Sequence, residues 1–186
     1  MSIFFLYLAT IITVASVMPY VRDILRGKSK PNITSWITWT LITAVATIAE
    51  FANSEYITAI FTSSAVIATG TIVILGLRYG CAKYSFFDVV CQLGVLVGFY
   101  LWWLFDSPAL AVVAMVTIDL LGALPTVRHS WIAPSEETWL TYAFSGLGGV
   151  FAVLALTSYN ITSLSYPIYL VFINTLLATI IYTKKN

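Results

Sequence analysis

Seven apolar stretches, separated by short segments rich in charge, Pro, Gly and Asn, occupy nearly the whole chain. That pattern leaves few architectures open, because a helix that crosses the hydrocarbon core of a bilayer needs about 20 mostly apolar residues at about 1.5 Å rise each. The stretches run near Ile3 to Ile24, Ile33 to Phe51, Tyr56 to Leu77, Ser85 to Leu104, Pro108 to Arg128, Ser135 to Thr157 and Leu164 to Tyr182. In a chain of 186 residues they leave no room for a separate soluble domain. Only 9% of the residues are charged, against about 25% in soluble domains. The expected fold class is therefore an all-α integral membrane protein of seven transmembrane helices. Ser2 to Val17 has no basic residue ahead of it and no small-residue cleavage site leading into a polar chain, so it is expected to remain as a helix rather than act as a signal peptide. Pro108 and Pro167 fall at or near the starts of helices five and seven, where a missing amide donor costs nothing.

Orientation follows from charge. Basic residues beside short loops are retained in the cytoplasm. Arg22, Arg26, Lys28 and Lys30 lie between helices one and two, Arg78 and Lys83 between three and four, Arg128 after five, and Lys184 and Lys185 after seven. The opposite loops carry only Glu50, Glu55 and Asp106. The expectation is an amino terminus outside and a carboxyl terminus in the cytoplasm. Losing or adding one span would scatter the basic residues over both faces, so the same pattern supports the count of seven.

Net charge of +1 gives no reason to expect a nucleic-acid partner. Cys81 and Cys91 have neither disulfide-framework nor metal-site spacing. His129 is the single histidine, and no His-Glu-x-x-His, Gly-x-Ser-x-Gly or Walker-type glycine string occurs. No enzyme activity and no cofactor are expected.

The chain repeats itself. The end of helix one reads Pro19-Tyr20-Val21-Arg22, followed by Pro31 and then Ser35-Trp36-Ile37-Thr38-Trp39. The end of helix five reads Pro125-Thr126-Val127-Arg128, followed by Pro134 and Thr138-Trp139-Leu140-Thr141-Tyr142, with a connection three residues shorter. Two copies imply two three-helix units. Three spans are odd, so direct fusion would invert the second unit; helix four, without a counterpart, restores its orientation. The expected division is residues 1–80, a linker helix in 81–106, and residues 107–186, with the two units parallel.

Helix count, linker helix, charge bias and the proline at the end of each unit's first helix resemble the SWEET and PQ-loop superfamily of small transporters, in a divergent, bacterial-looking form. The PQ-loop pattern has Gln after that proline, where this chain has Tyr20 and Thr126, and SWEET proteins carry a proline within the second helix, whereas Pro31 and Pro134 precede it. The resemblance implies an inner-membrane transporter that works by alternating access. It also implies that Pro19 and Pro125 flank the inner gate, and that a mid-membrane Asn on the third helix of each unit contacts the solute. Asn174 on helix seven fits that position; helix three offers Ser63, Ser64 and Thr69 instead.

The residues themselves suggest roles that overlap with these. Pro19 and Pro125 each remove a helix hydrogen bond and are natural bending points, either hinges or static kinks. Asp119 lies about 9 Å deeper than Pro125, where a carboxylate needs a partner or water; it is a candidate proton or cation site, or an interhelical tie. Asp88, near the start of helix four, is explained by the helix dipole. Asn174 is a candidate solute contact or an interhelical bond. Trp36, Trp39, Trp139 and Tyr142, in the first turns of helices two and six, suit either the aromatic belt or an inner gate. Trp102 and Trp103 suit the belt, and Gly146, Gly148 and Gly149 suit close helix packing.

The function expected is facilitative or proton-coupled passage of a small polar solute such as a sugar, amino acid or vitamin, with that solute and the lipid bilayer as partners. Homo-oligomer formation stays open. The alternatives are a seven-helix receptor and a sorting or scaffold protein without transport. Helix seven has no lysine within its apolar core to hold retinal, and the tail from Tyr182 to Asn186 offers little sorting sequence.

Overall fold

A computed structural model describes residues 3–54, 56–104 and 108–185. These form seven helices: α1 (Ile3–Leu25), α2 (Ile33–Ala52), α3 (Tyr56–Tyr79), α4 (Phe86–Leu104), α5 (Pro108–Ile132), α6 (Trp139–Ala155) and α7 (Ile161–Lys185). A 3-10 turn, Pro134–Glu136, precedes α6. Six of the helices are long and apolar enough to cross a membrane, and α6, at 17 residues, is shorter. Glu55 and Asp106, assigned from sequence to the loops opposite the basic ones, lie outside the described residues.

Several boundaries differ from the sequence reading: α7 ends at Lys185 rather than Tyr182 and α6 at Ala155 rather than Thr157, and three others differ by three or four residues. α5 continues one turn past Arg128, to Ile132. α6 begins at Trp139 rather than near Ser135, because Pro134 opens the tighter turn and Glu137 then adopts extended backbone at φ −116°, ψ 157°. α7 starts at Ile161 rather than Leu164, because the Asn160 side chain accepts a hydrogen bond from the Ser163 amide at 2.9 Å. Pro167 is consequently inside α7, not at its start.

The helices pack in two groups of three. α3 lies between α1 and α2, touching both, while the backbones of α1 and α2 stay apart and side chains such as Tyr20 and Trp36 bridge them; α7 lies between α5 and α6. The groups meet crosswise, α1 against α6 and α5 against α2, and α4 runs along α5 with only an edge on α2. The α1–α6 contact is close because Gly148 has no side chain: a Cβ there would stand 2.8 Å from Thr13 Oγ1.

Bonds to backbone carbonyls tie the connections together at one end of the bundle. The Lys30 amide donates to Glu136 O at 2.9 Å, the Ala82 amide to Pro31 O at 3.0 Å, and Lys185 Nζ to Glu137 O at 3.2 Å. All nine Lys and Arg belong to these connections, to the helix turns leading into them, or to the end of α7, so this is the basic end of the molecule. Large apolar side chains such as Phe4, Ile11, Met18, Ile48, Ile67 and Phe172 are exposed on the helix exteriors. Exposure on this scale is unusual for a soluble monomer and ordinary for a surface facing hydrocarbon.

Buried and half-buried hydroxyls solve the problem of polar groups in such a bundle locally. Thr10, Thr40, Thr43, Thr47 and Thr69 each donate to the carbonyl four residues earlier on their own helix. The donor is thereby used, and the oxygen still has lone pairs to offer.

Candidate functional site

A cavity of about 340 Å³ occupies the centre of the bundle. Its wall is built from α1, α2, α3, α5, α6 and α7, with no residue from α4. On α1 it runs from Leu6 to Val17, about 16 Å of helix axis. The lining mixes aliphatic side chains with Thr10, Thr43, Ser64, Thr69, Ser145 and Asn174. Because Thr10, Thr43 and Thr69 have spent their donors on their own helices, they present acceptor oxygens inward. Asn174 spends one of its two Nδ2 protons in the same way, donating to Leu170 O at 2.9 Å, and keeps the other along with its Oδ1 acceptor.

Aromatic rings close the cavity toward the basic end. The Tyr20 ring lies 5.1 Å from that of Trp36 and 6.3 Å from that of Tyr142, edge-on to each, and Trp39 stands 5.0 Å from Trp36. Tyr20 is completely buried. At this floor Trp36 Nε1 and Thr141 Oγ1 are buried without a hydrogen-bond partner among the described residues.

Asp119 is the only acid on the wall among the described residues. Its carboxylate accepts from Trp39 Nε1 at 2.9 Å, Tyr166 Oη at 2.8 Å and Tyr169 Oη at 3.1 Å. One side chain therefore ties α2, α5 and α7 together and faces the cavity as well.

Of the residues singled out in the sequence, Trp36, Trp39, Ser64, Thr69, Asp119, Tyr142 and Asn174 share this wall. Ser63 does not; it donates to Ala59 O at 2.7 Å within α3. Trp139 is also off the wall, its ring 5.2 Å from that of Tyr182. Pro19 and Pro125 leave α1 and α5 continuous. Each precedes a completely buried residue that reaches across the seam between the two groups. Tyr20 donates to Glu137 at the head of α6, and the Thr126 amide donates to Ser35 Oγ on α2 at 3.2 Å. Asp88 caps α4 by accepting from the Ser85 amide at 2.7 Å, and also takes a long bond from Asn32 Nδ2 at 3.5 Å.

The sequence reading missed Glu137. It is completely buried just beneath the aromatic floor, its Oε2 accepting from Tyr20 Oη at 2.7 Å and from Tyr142 Oη at 3.0 Å. Burial pushes its carboxyl up to about 8, partly offset by the two tyrosine hydroxyls and raised further by the neighbouring Glu136 charge. The repeat held a signal for it: with Ser35 aligned to Thr138, Glu137 stands where the first copy has Thr34.

A second hollow of about 640 Å³ lies on the outside of the α6–α7 pair, lined by residues such as Val150, Leu154, Ile168, Val171 and Phe172. It has no convergent polar groups, and it belongs to the lipid-facing surface.

No protein-family model matches the chain, no curated protein matches it, and no solved structure matches it.

Proposed function

We propose that this chain is a transporter that carries a small polar solute through the central cavity by alternating access. The observation that carries the reading is the cavity itself, walled by all three helices of each group and by no residue of α4. Two parallel three-helix units joined by a linker helix are built to line a shared path in this way. The matching packing order, α1-α3-α2 and α5-α7-α6, supports the repeat read from Pro19 and Pro125 and the resemblance to the SWEET and PQ-loop superfamily. The gathering of every Lys and Arg at one end supports a cytoplasmic basic end and an outward amino terminus.

The wall also narrows the solute. Acceptor oxygens from Thr10, Thr43, Thr69 and Asn174, with the Asp119 carboxylate, favour a molecule rich in hydroxyl or amino donors. Asp119 is proposed as the cation- or proton-binding group of the wall.

The test is uptake of a labelled panel of sugars, amino acids and small vitamins into proteoliposomes containing the purified protein. Saturable uptake of a donor-rich member is expected. Uptake of none, with the protein correctly inserted, favours the receptor or scaffold reading.

A further inference from the structure

The floor of the cavity rests on a group that the transport reading alone does not require. Glu137 lies between the cavity and the basic end, and Tyr142 touches both: its ring lines the cavity and its hydroxyl donates to Glu137. Tyr20 reaches the same carboxylate from α1. Beneath it, Glu137 Oε1 has no hydrogen-bond partner among the described residues, and neither does His129 Nε2, which faces it at 3.9 Å. A buried carboxylate oxygen without a donor is costly, and in the neutral ring with its proton on Nδ1 toward the Lys30 backbone, His129 Nε2 is a second acceptor facing it.

We infer that Glu137 is a proton-binding site that keeps the basic-end gate shut, and that opening of this gate releases one proton to the water at that end. The inference rests on the alternating-access reading and adds to it a second titratable site, at the gate rather than on the cavity wall. A proton on Oε1 makes that oxygen a donor toward His129 Nε2, and a closing of about 1 Å completes the bond. Oε2 remains free to accept from both tyrosines. One proton thus satisfies both orphans and leaves the α1–α6 contact intact. In the opening step the Oε1–H bond breaks, the electron pair stays on the carboxylate, and the proton passes to water.

The surrounding charges agree with this assignment. Tyr20 faces Glu137 from α1, Tyr142 from α6 and His129 from α5. Glu136 adjoins it from the 3-10 turn, its Oε1 paired with Lys30 at 2.6 Å and its Oε2 3.6 Å from His129 Nε2, and Lys185 of α7 spends its ammonium on the Glu137 carbonyl rather than the carboxylate. No cation pairs directly with the carboxylate among the described residues. Burial raises the carboxyl from its ordinary 4.5 to about 8. Between those values the sealed form holds a proton that a hydrated, open form gives up, so raising pH through that window favours opening. The open-to-sealed ratio should rise by up to about tenfold per pH unit and level off above about 8.

The test uses the full chain in lipid nanodiscs, with Cys81→Ser and Cys91→Ala to remove the native thiols. Spin labels placed through Lys28→Cys and Ser135→Cys, both exposed on opposite sides of the seam, report the basic-end distance between pH 6 and 9. The short distance should dominate at pH 6 and yield to a longer one as pH rises. Glu137→Gln, which keeps an acceptor for the tyrosines and a donor for His129, should stay short throughout. Tyr142→Phe removes a bond that favours the ionised form, so its ratio should keep rising to a higher pH before it levels off; if Glu137→Gln does not fold, this variant decides. A distance independent of pH, a Glu137→Gln protein that titrates like the parent, or a Tyr142→Phe ratio that levels off at the same or a lower pH overturns the inference. A protein whose distance answers to solute at fixed pH but not to pH loses this inference and keeps the transport reading. One that answers to pH yet takes up no solute keeps the gate and loses transport.

Discussion

Asn174 and Asp119 lie at membrane depth for different reasons, and their substitutions should separate. Asn174 spends one Nδ2 proton on its own helix and turns the rest of the amide to the cavity. Asn174→Ala should therefore leave thermal stability nearly unchanged and weaken solute binding by about 1–2 kcal/mol, roughly 5- to 30-fold, as read by titration of the solute found in uptake. Asp119 holds three donors from two neighbouring helices. Asp119→Ala orphans all three and should lower the unfolding midpoint in detergent, at a cost on the order of 3 kcal/mol. Asp119→Asn keeps the shape without the charge. It should still exchange solute between equal pools but lose accumulation driven by a pH gradient, if the carboxylate binds the driving proton. Asp119 was legible in the sequence because a lone acid far from any helix end stands out. Glu137 was not, since Ser135, Glu136 and Glu137 read as an ordinary polar connection, and its burial depends on tyrosines arriving from α1 and α6.

At the scale of elements, the apolar runs and the paired prolines carried most of the reading. α1 to α5 start within about a residue of where hydropathy and punctuation put them. The start of α6 was obscured because a helix and a 3-10 turn have similar composition, and only the extended backbone at Glu137 separates them. The start of α7 was obscured because Asn160 caps it well ahead of Pro167, which taken alone reads as a first-turn proline. Pro19 and Pro125 each precede a buried residue that crosses the seam, so they are placed to let α1 and α5 bend there. Pro19→Ala and Pro125→Ala should each restore a helix hydrogen bond and slow interchange between the sealed and open basic end, the double variant most of all. The Lys28–Ser135 label pair followed by time-resolved fluorescence checks this, and unchanged rates would make the prolines static kinks.

For the whole molecule, the charge bias predicts a side for every loop. Cysteines at Asn53 and Asn160 should react with an impermeant maleimide in intact cells, and cysteines at Lys28 and Lys184 should not. Label at Lys28 would reverse the orientation. Loop charge could reveal this arrangement without a structure, but not the crosswise meeting of the groups, α1 on α6 and α5 on α2, because contacts between distant helices leave no periodic trace in one sequence. Seven residues of the central wall were named in advance, while its α1 face was not and Ser63 and Trp139 lie off it, because helix depth is legible from position while the facing of a side chain is not. The central claim is that the cavity opens in turn to both sides. Thr43 lines it midway along α2, so a single cysteine at Thr43, with Cys81 and Cys91 replaced, should react with impermeant maleimide in right-side-out vesicles and, at a different rate, in inverted ones, with solute slowing both. Reaction from one side only would contradict alternating access.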